Sequence, residues 1–188
     1  NPNRGQVLSN NSIKLTNAEG IRAGFDGIPY SGKGVLVGIL DAGIDFNHPD
    51  FQNDSGDTRI RAIWDQRQSF HASRTPSFGY GQVWTAQDID SGLCTHVDNP
   101  SFFGHGSNVS GIAAGNGKSV PDSIGDFAGY ATEADLAVVS IDFSAVNFTE
   151  KVADGVQFLL NLADSLQLPC VLNTSLGTYT GSHDGLDL

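Results

Sequence analysis

The chain has 188 residues, with 21 acidic against 10 basic side chains and a formal net charge of −11. That length supports one sizeable core, burying roughly 70% of the unfolded surface, while the acidity excludes a nucleic-acid partner, which needs a basic footprint. Two cysteines exclude a disulfide scaffold, and no apolar run reaches the ~18 residues of a membrane span.

Residues 1–33 read as a loosely attached N-terminal arm followed by a short helix from Asn17 to Phe25, with Ile21 and Phe25 on one face. The absence of methionine points to a processed N-terminus. Val35 to Leu40 is an apolar, β-branched run opened by glycines, the pattern of a strand buried on both faces of a parallel sheet. It stops on Asp41, and Gly43 lets the chain turn off the sheet. A carboxylate at the carboxyl end of such a strand lies where open α/β sheets keep their chemistry, although a strand-ending Asp also serves simply to cap a turn. Asn53-Asp-Ser-Gly-Asp57 is a turn cluster whose carboxylates offer a weak calcium candidate without EF-hand spacing. Arg59 to Trp64 alternates polar and apolar residues, as a half-exposed strand should.

Residues 66–103 show no long period and read as an inserted irregular segment, of the kind that is usually functional. His105 then opens a helix of small residues running to Gly115. At the positive end of the helix dipole an imidazole is biased towards its neutral form. A structural cap is the plain alternative. Ala134 to Ile141 is a second apolar strand. Thr149 to Leu166 follows as a helix, with Val152, Val156, Leu159, Leu160, Ala163 and Leu166 as its apolar stripe. Pro169 ends it, and Val171 to Gly177 is the last strand. This alternation predicts a parallel, doubly wound α/β sheet with helices on both faces.

Asp41-Ala-Gly-Ile-Asp45 with His48-Pro-Asp-Phe51, and Gly104-His-Gly-Ser-Asn-Val-Ser-Gly-Ile-Ala-Ala-Gly115, resemble the aspartate and histidine boxes of the subtilisin-like serine proteases (subtilases). Val171-Leu-Asn-Thr-Ser-Leu-Gly177 resembles their substrate-binding strand. Arg59 to Gln66, Gly79 to Thr85 and Gln87 to Asp90 are similar to a longer segment between the boxes in some bacterial members, including the clostridial germination type. The resemblance implies that Asp41 orients His105 as general base. It also implies that Ser175, Leu176 and Gly177 line an extended peptide, with Gly177 otherwise an ordinary strand end.

Ser107, Asn108 and Ala42 depart from the usual Thr, His and Ser or Thr, but Ser107 keeps a hydroxyl. The family's serine box and oxyanion asparagine have no counterpart, and no other serine has a nucleophile-like setting. Residues 34–188 are therefore expected to be the N-terminal half of a catalytic domain, incomplete at its C-terminal side and inactive alone. The missing half, or a second copy, would cover strand 171–177. The resemblance implies a serine endopeptidase acting outside the cytoplasm, extracellular or periplasmic, on peptide or protein substrates without a cofactor. A non-catalytic subtilase-derived binding or regulatory module is the alternative.

Other readings are weaker. Gly117-Lys-Ser119 lacks the first glycine of a phosphate loop. His96, Asp98 and His105 lack helical zinc spacing. Asn108, Asn147 and Asn173 match the glycosylation pattern by chance. Cys94 and Cys170 belong at opposite ends of the sheet and should not pair.

Overall fold

β1 (Leu36–Asp41), β2 (Ile60–Asp65), β3 (Gln82–Thr85), β4 (Asp135–Ser140) and β5 (Cys170–Thr174) form one sheet in the order β3-β2-β4-β1-β5. A computed structural model describes residues 13–24, 27–120 and 127–177. β2, β4, β1 and β5 run parallel, and β3 is antiparallel to β2. The register brings three polar residues to one level at the carboxyl ends, because Ser140 is opposite both Asp41 and Asp65. That level is where the site is built.

Helices cover both faces, as the alternation requires. Val37 and Ile39 point to one face, where Val109, Ala113 and Ala114 of α3 (His105–Ala114) pack on them. Leu36 and Leu40 point to the other, against α4 (Phe148–Leu166). Gly38 lies on the α4 side, where an added Cβ would sit 2.6 Å from Leu172 Cδ2 and 3.0 Å from Leu159 Cδ1. Gly155 brings α4 equally close, since a Cβ there would lie 3.0 Å from Leu40 Cδ2.

The structure departs from the sequence expectation in several places. β2 is not half-exposed: only Arg61 of its six residues faces water, because the strand has a neighbour on each side and cover above and below. Arg59 just before it is also buried, its guanidinium donating to the carbonyls of Asp50, Ala114 and Ala134. The 66–103 segment is not irregular throughout, since it supplies β3 and α2 (Ala86–Asp90). Thr85 and Asp88 cap α2 reciprocally, so the signal was the Thr-x-x-Asp spacing. Finally, the α4 stripe runs through Val152, Gly155, Val156, Leu159, Leu162 and Ala163, leaving Leu160 42% exposed.

The helix expected from Asn17 to Phe25, α1, is shorter, at Ala18–Ala23, and Phe25 lies outside the described residues. Cys94 and Cys170 are both free. No helix of the described residues is long and apolar enough to cross a membrane.

The burial of α4 gives a direct test. Leu159→Ala empties a fully buried position and should cost about 2–5 kcal/mol. Leu160→Ala should stay within about 0.5 kcal/mol of the parent. Denaturant midpoints of the two variants read the difference.

Candidate active site

Asp41 is the last residue of β1, and its side chain is almost wholly removed from water. Its Oδ1 accepts the Ala42 N–H over 2.7 Å. His105 Nδ1 lies 2.8 Å from Oδ1 and 3.0 Å from Oδ2 of the same carboxylate. A carboxylate can only accept here, so the proton lies on Nδ1 and the neutral ring keeps its lone pair on Nε2. The His105 side chain is half exposed, so a base held on its inner nitrogen has its outer side open to a reactant.

Glycine sets this separation. Gly106 follows His105 in the first turn of α3, and a Cβ there would fall 2.0 Å from the Gly43 carbonyl oxygen. Gly43 has φ 144°, a region few other residues enter. The two glycines let the loop after β1 lie directly on the helix carrying His105. The other end of α3 is held by backbone, with Tyr130 and Ala131 N–H groups donating to the carbonyls of Ile112 and Ala113.

Ser107 performs a bridging role that its hydroxyl makes possible. It accepts the Asp45 N–H over 2.6 Å and donates to Asp98 Oδ2 over 2.6 Å. A second Asp–His pair lies nearby at the end of β2, where His96 Nδ1 is 2.7 Å from Asp65 Oδ2. Burial alone would raise the Asp65 carboxyl. The His96 hydrogen bond and the Arg67 guanidinium outweigh it and hold the group below its ordinary 3.8. No motif marks Asp65 or this pairing in the sequence, although Asp65 ends a strand just as Asp41 does. His96, Asp98 and His105 do not converge as a ligand set, because each is engaged with a different partner. Burial pushes the Cys94 thiol up to about 11, which leaves little thiolate at neutral pH.

Thr174 is in register with Leu40, so Ser175, Leu176 and Gly177 leave the sheet at the same end as Asp41. Ser175 Oγ accepts from Asn173 Nδ2 over 3.0 Å. Leu176 is partly buried in the α4-side cluster. A Cβ on Gly177 would meet nothing. Ser175 also lines a groove of about 490 Å³ between α3 and β5, walled by Val37, Val109, Ile112 and Val171.

Residues 32–187 match the model of the Subtilase family. The chain belongs to the subtilase family. It is 30% identical over 170 residues to the subtilisin-like protease PopC of Myxococcus xanthus, covering 88% of this chain and 27% of that protein. It is 25% identical over 175 residues to the PII-type proteinase of Lacticaseibacillus paracasei, covering 90% of this chain and 9% of that protein. The structure of the Clostridium perfringens CspB protease superposes with a TM-score of 0.65 at 31% identity, over 85% of this chain and 32% of that one. Sphericase shares the fold, with a TM-score of 0.55 at 19% identity over 88% of this chain and 44% of that one. The subtilase chain thus spans less than a third of the curated relatives it matches. The subtilisin-like protease family expected from the motifs is found, and so is the α/β sheet, which is parallel except for β3.

Two outcomes follow for this subtilase. Gly106→Ala drives a methyl into a backbone oxygen and should cost about 3 kcal/mol, the upper end of the usual overpacking range. Gly111→Ala, on the same helix but in open space, should stabilise by up to about 1 kcal/mol; thermal or denaturant unfolding distinguishes them. Because Asp65 is depressed in the folded state, its contribution is complete above the unfolded value and lost as pH falls through the lower folded value. Asp65→Asn should therefore flatten the stability–pH curve below about pH 4, measured by urea unfolding at stepped pH.

Proposed function

We propose that residues 34–188 are the N-terminal half of a subtilisin-like serine endopeptidase domain. His105 is the general base and Asp41 its orienting carboxylate. The observation carrying this reading is the Asp41–His105 hydrogen bond at the carboxyl ends of a parallel sheet. The nucleophilic serine and the oxyanion donor come from polypeptide outside these residues. That agrees with the short span of the chain on its protease relatives.

In the assembled site the serine hydroxyl attacks the scissile carbonyl while His105 Nε2 takes its proton. A carbon–oxygen bond forms and the carbonyl electron pair moves to oxygen. On collapse, the carbon–nitrogen bond breaks and His105 returns the proton to the departing amine. Water then repeats the cycle on the acyl-enzyme. Asp41 keeps the imidazole in its Nδ1–H form and stabilises the imidazolium between the two transfers. An extended peptide or protein segment adds as a strand along Ser175, Leu176 and Gly177, where the absence of a side chain at Gly177 allows close backbone approach.

The partner of β5 is the remaining half of the domain or a second copy, and the site of action is extracellular or periplasmic. None of this chemistry asks for a cofactor.

The test is a serine-directed fluorophosphonate applied to the full gene product and to isolated residues 1–188. The full product should be labelled and should cleave an extended peptide ester. The isolated residues should do neither. Asp41→Asn should lower kcat on the order of 10⁴-fold. Asp45→Asn, at a side chain that accepts the nearby Asn47 N–H, should have a small effect. Labelling of the isolated chain would reveal another nucleophile. A full product that binds peptide but is never labelled would favour the non-catalytic module.

A further inference from the structure

The Asp65–His96 pair has no part in the mechanism above, yet both side chains are almost completely buried. His96 belongs to the 66–103 segment, and a buried imidazole must be satisfied on both nitrogens. Its Nδ1 faces Asp65 Oδ2 at 2.7 Å, and its Nε2 faces the backbone nitrogen of Ile44 at 3.2 Å. The Ile44 amide can only donate. His96 Nε2 therefore holds a lone pair, and its single proton sits on Nδ1, aimed at Asp65. The Asp65 charge is matched by Arg67, which donates to it from backbone, Nε and Nη2. The ring can thus stay neutral.

What His96 grips is the catalytic loop. Ile44 is fully buried and lies in the loop that directly follows Asp41. A Cβ on Gly43 would lie 3.1 Å from His96 Cε1, while the Gly43 carbonyl already fills the space above Gly106. The loop is therefore clamped, with His96 on one side and the first turn of α3 on the other. A shift of this loop would move the Asp41 end of β1 relative to His105.

We propose that His96, as a neutral imidazole hydrogen-bonded to Asp65, is a positioning residue that fixes the Ala42–Ile44 loop and through it the Asp41–His105 geometry. This rests on the proposed protease function, but its physical core does not require activity. A ring that carried its proton on Nε2 would set N–H against N–H at Ile44. A side chain without an acceptor would leave that amide buried and unpaired.

Two variants of the full gene product separate this role from simple packing. His96→Leu fills the space without an acceptor. His96→Gln supplies a carbonyl for Ile44 and an amide N–H for Asp65. Each is first checked for cooperative unfolding. His96→Leu should lower kcat on the order of 10²-fold, the scale of a misplaced catalytic group. KM should change by less than about twofold, and His96→Gln should recover most of the loss.

A second readout needs no turnover: the proton NMR resonance of His105 Nδ1–H, deshielded by the Asp41 carboxylate. It should shift in His96→Leu and return in His96→Gln. Nitrogen-15 spectra of the wild-type imidazoles should show His96 protonated on Nδ1 alone at neutral pH. A folded His96→Leu protein with unchanged kcat and an unmoved His105 proton would overturn the proposal. So would an Nε2–H or doubly protonated His96, even if the leucine variant failed to fold. A wild-type product with no peptidase activity but the expected His96 and His105 signals would refute the protease reading and leave the clamp standing.

Discussion

The approach of the Gly43 carbonyl to the backbone of Gly106 is the constraint on which the site depends. Asp41 and His105 are far apart in sequence, on a strand and on a helix that covers the sheet. Two side chains as short as these meet at 2.8 Å only if the loop after β1 lies flat against the first helical turn. Any Cβ at Gly106 would occupy the oxygen's place. The glycines around the histidine lower the intrinsic stability of α3 by roughly 1 kcal/mol each relative to alanine. Packing against β1 and backbone bonds from 129–131 offset that cost, so the helix bearing His105 is well formed only once the sheet is.

The carboxyl-end layer also has to hold buried charge. Asp41 and Asp65 flank Ser140 on neighbouring parallel strands, and two unpaired carboxylates in so dry a layer would be costly. Each is given an imidazole, and the two differ in what lies beyond the ring. Asp65 adds Arg67 and a fully buried histidine, so that pair is saturated. Asp41 adds backbone and a half-exposed histidine, so one ring nitrogen is left available. Ser140 donates to the Ala42 carbonyl and so ties the middle strand to the loop after β1 without adding charge.

Much of this was legible in the residues. The buried strands at Leu36 and Asp135, the helix at His105 and the parallel crossovers follow from apolar runs and their punctuation, because both faces of the sheet are covered. The pairing of Asp41 with His105 was legible through the family motifs. Arg59 was misjudged because a charged residue in an alternating pattern normally faces water. Here three carbonyl acceptors, from Asp50, Ala114 and Ala134, make the interior acceptable. The 66–103 segment shows no period in its sequence because β3 has four residues and α2 five, too few for one to emerge. His96 was invisible as a clamp because its partners, Asp65 and the Ile44 amide, are brought to it only by tertiary structure.

The sheet's other margin links chemistry to stability. β5 pairs only with β1 among the described residues, and Val171 is 61% exposed. Val171 shares a wall with Val109 and Ile112 of α3 in the groove beside Ser175. Apolar surface left in water forgoes about 25 cal/mol for each Å² that could be buried, and an unpaired strand edge invites promiscuous pairing. On the proposed function, the polypeptide bringing the nucleophile would also cover this edge and pack against the helix that carries the base. Completing the sheet and completing the triad would then be one event. A correctly formed edge would be the condition for a correctly placed serine, and partial docking would yield neither stability nor activity.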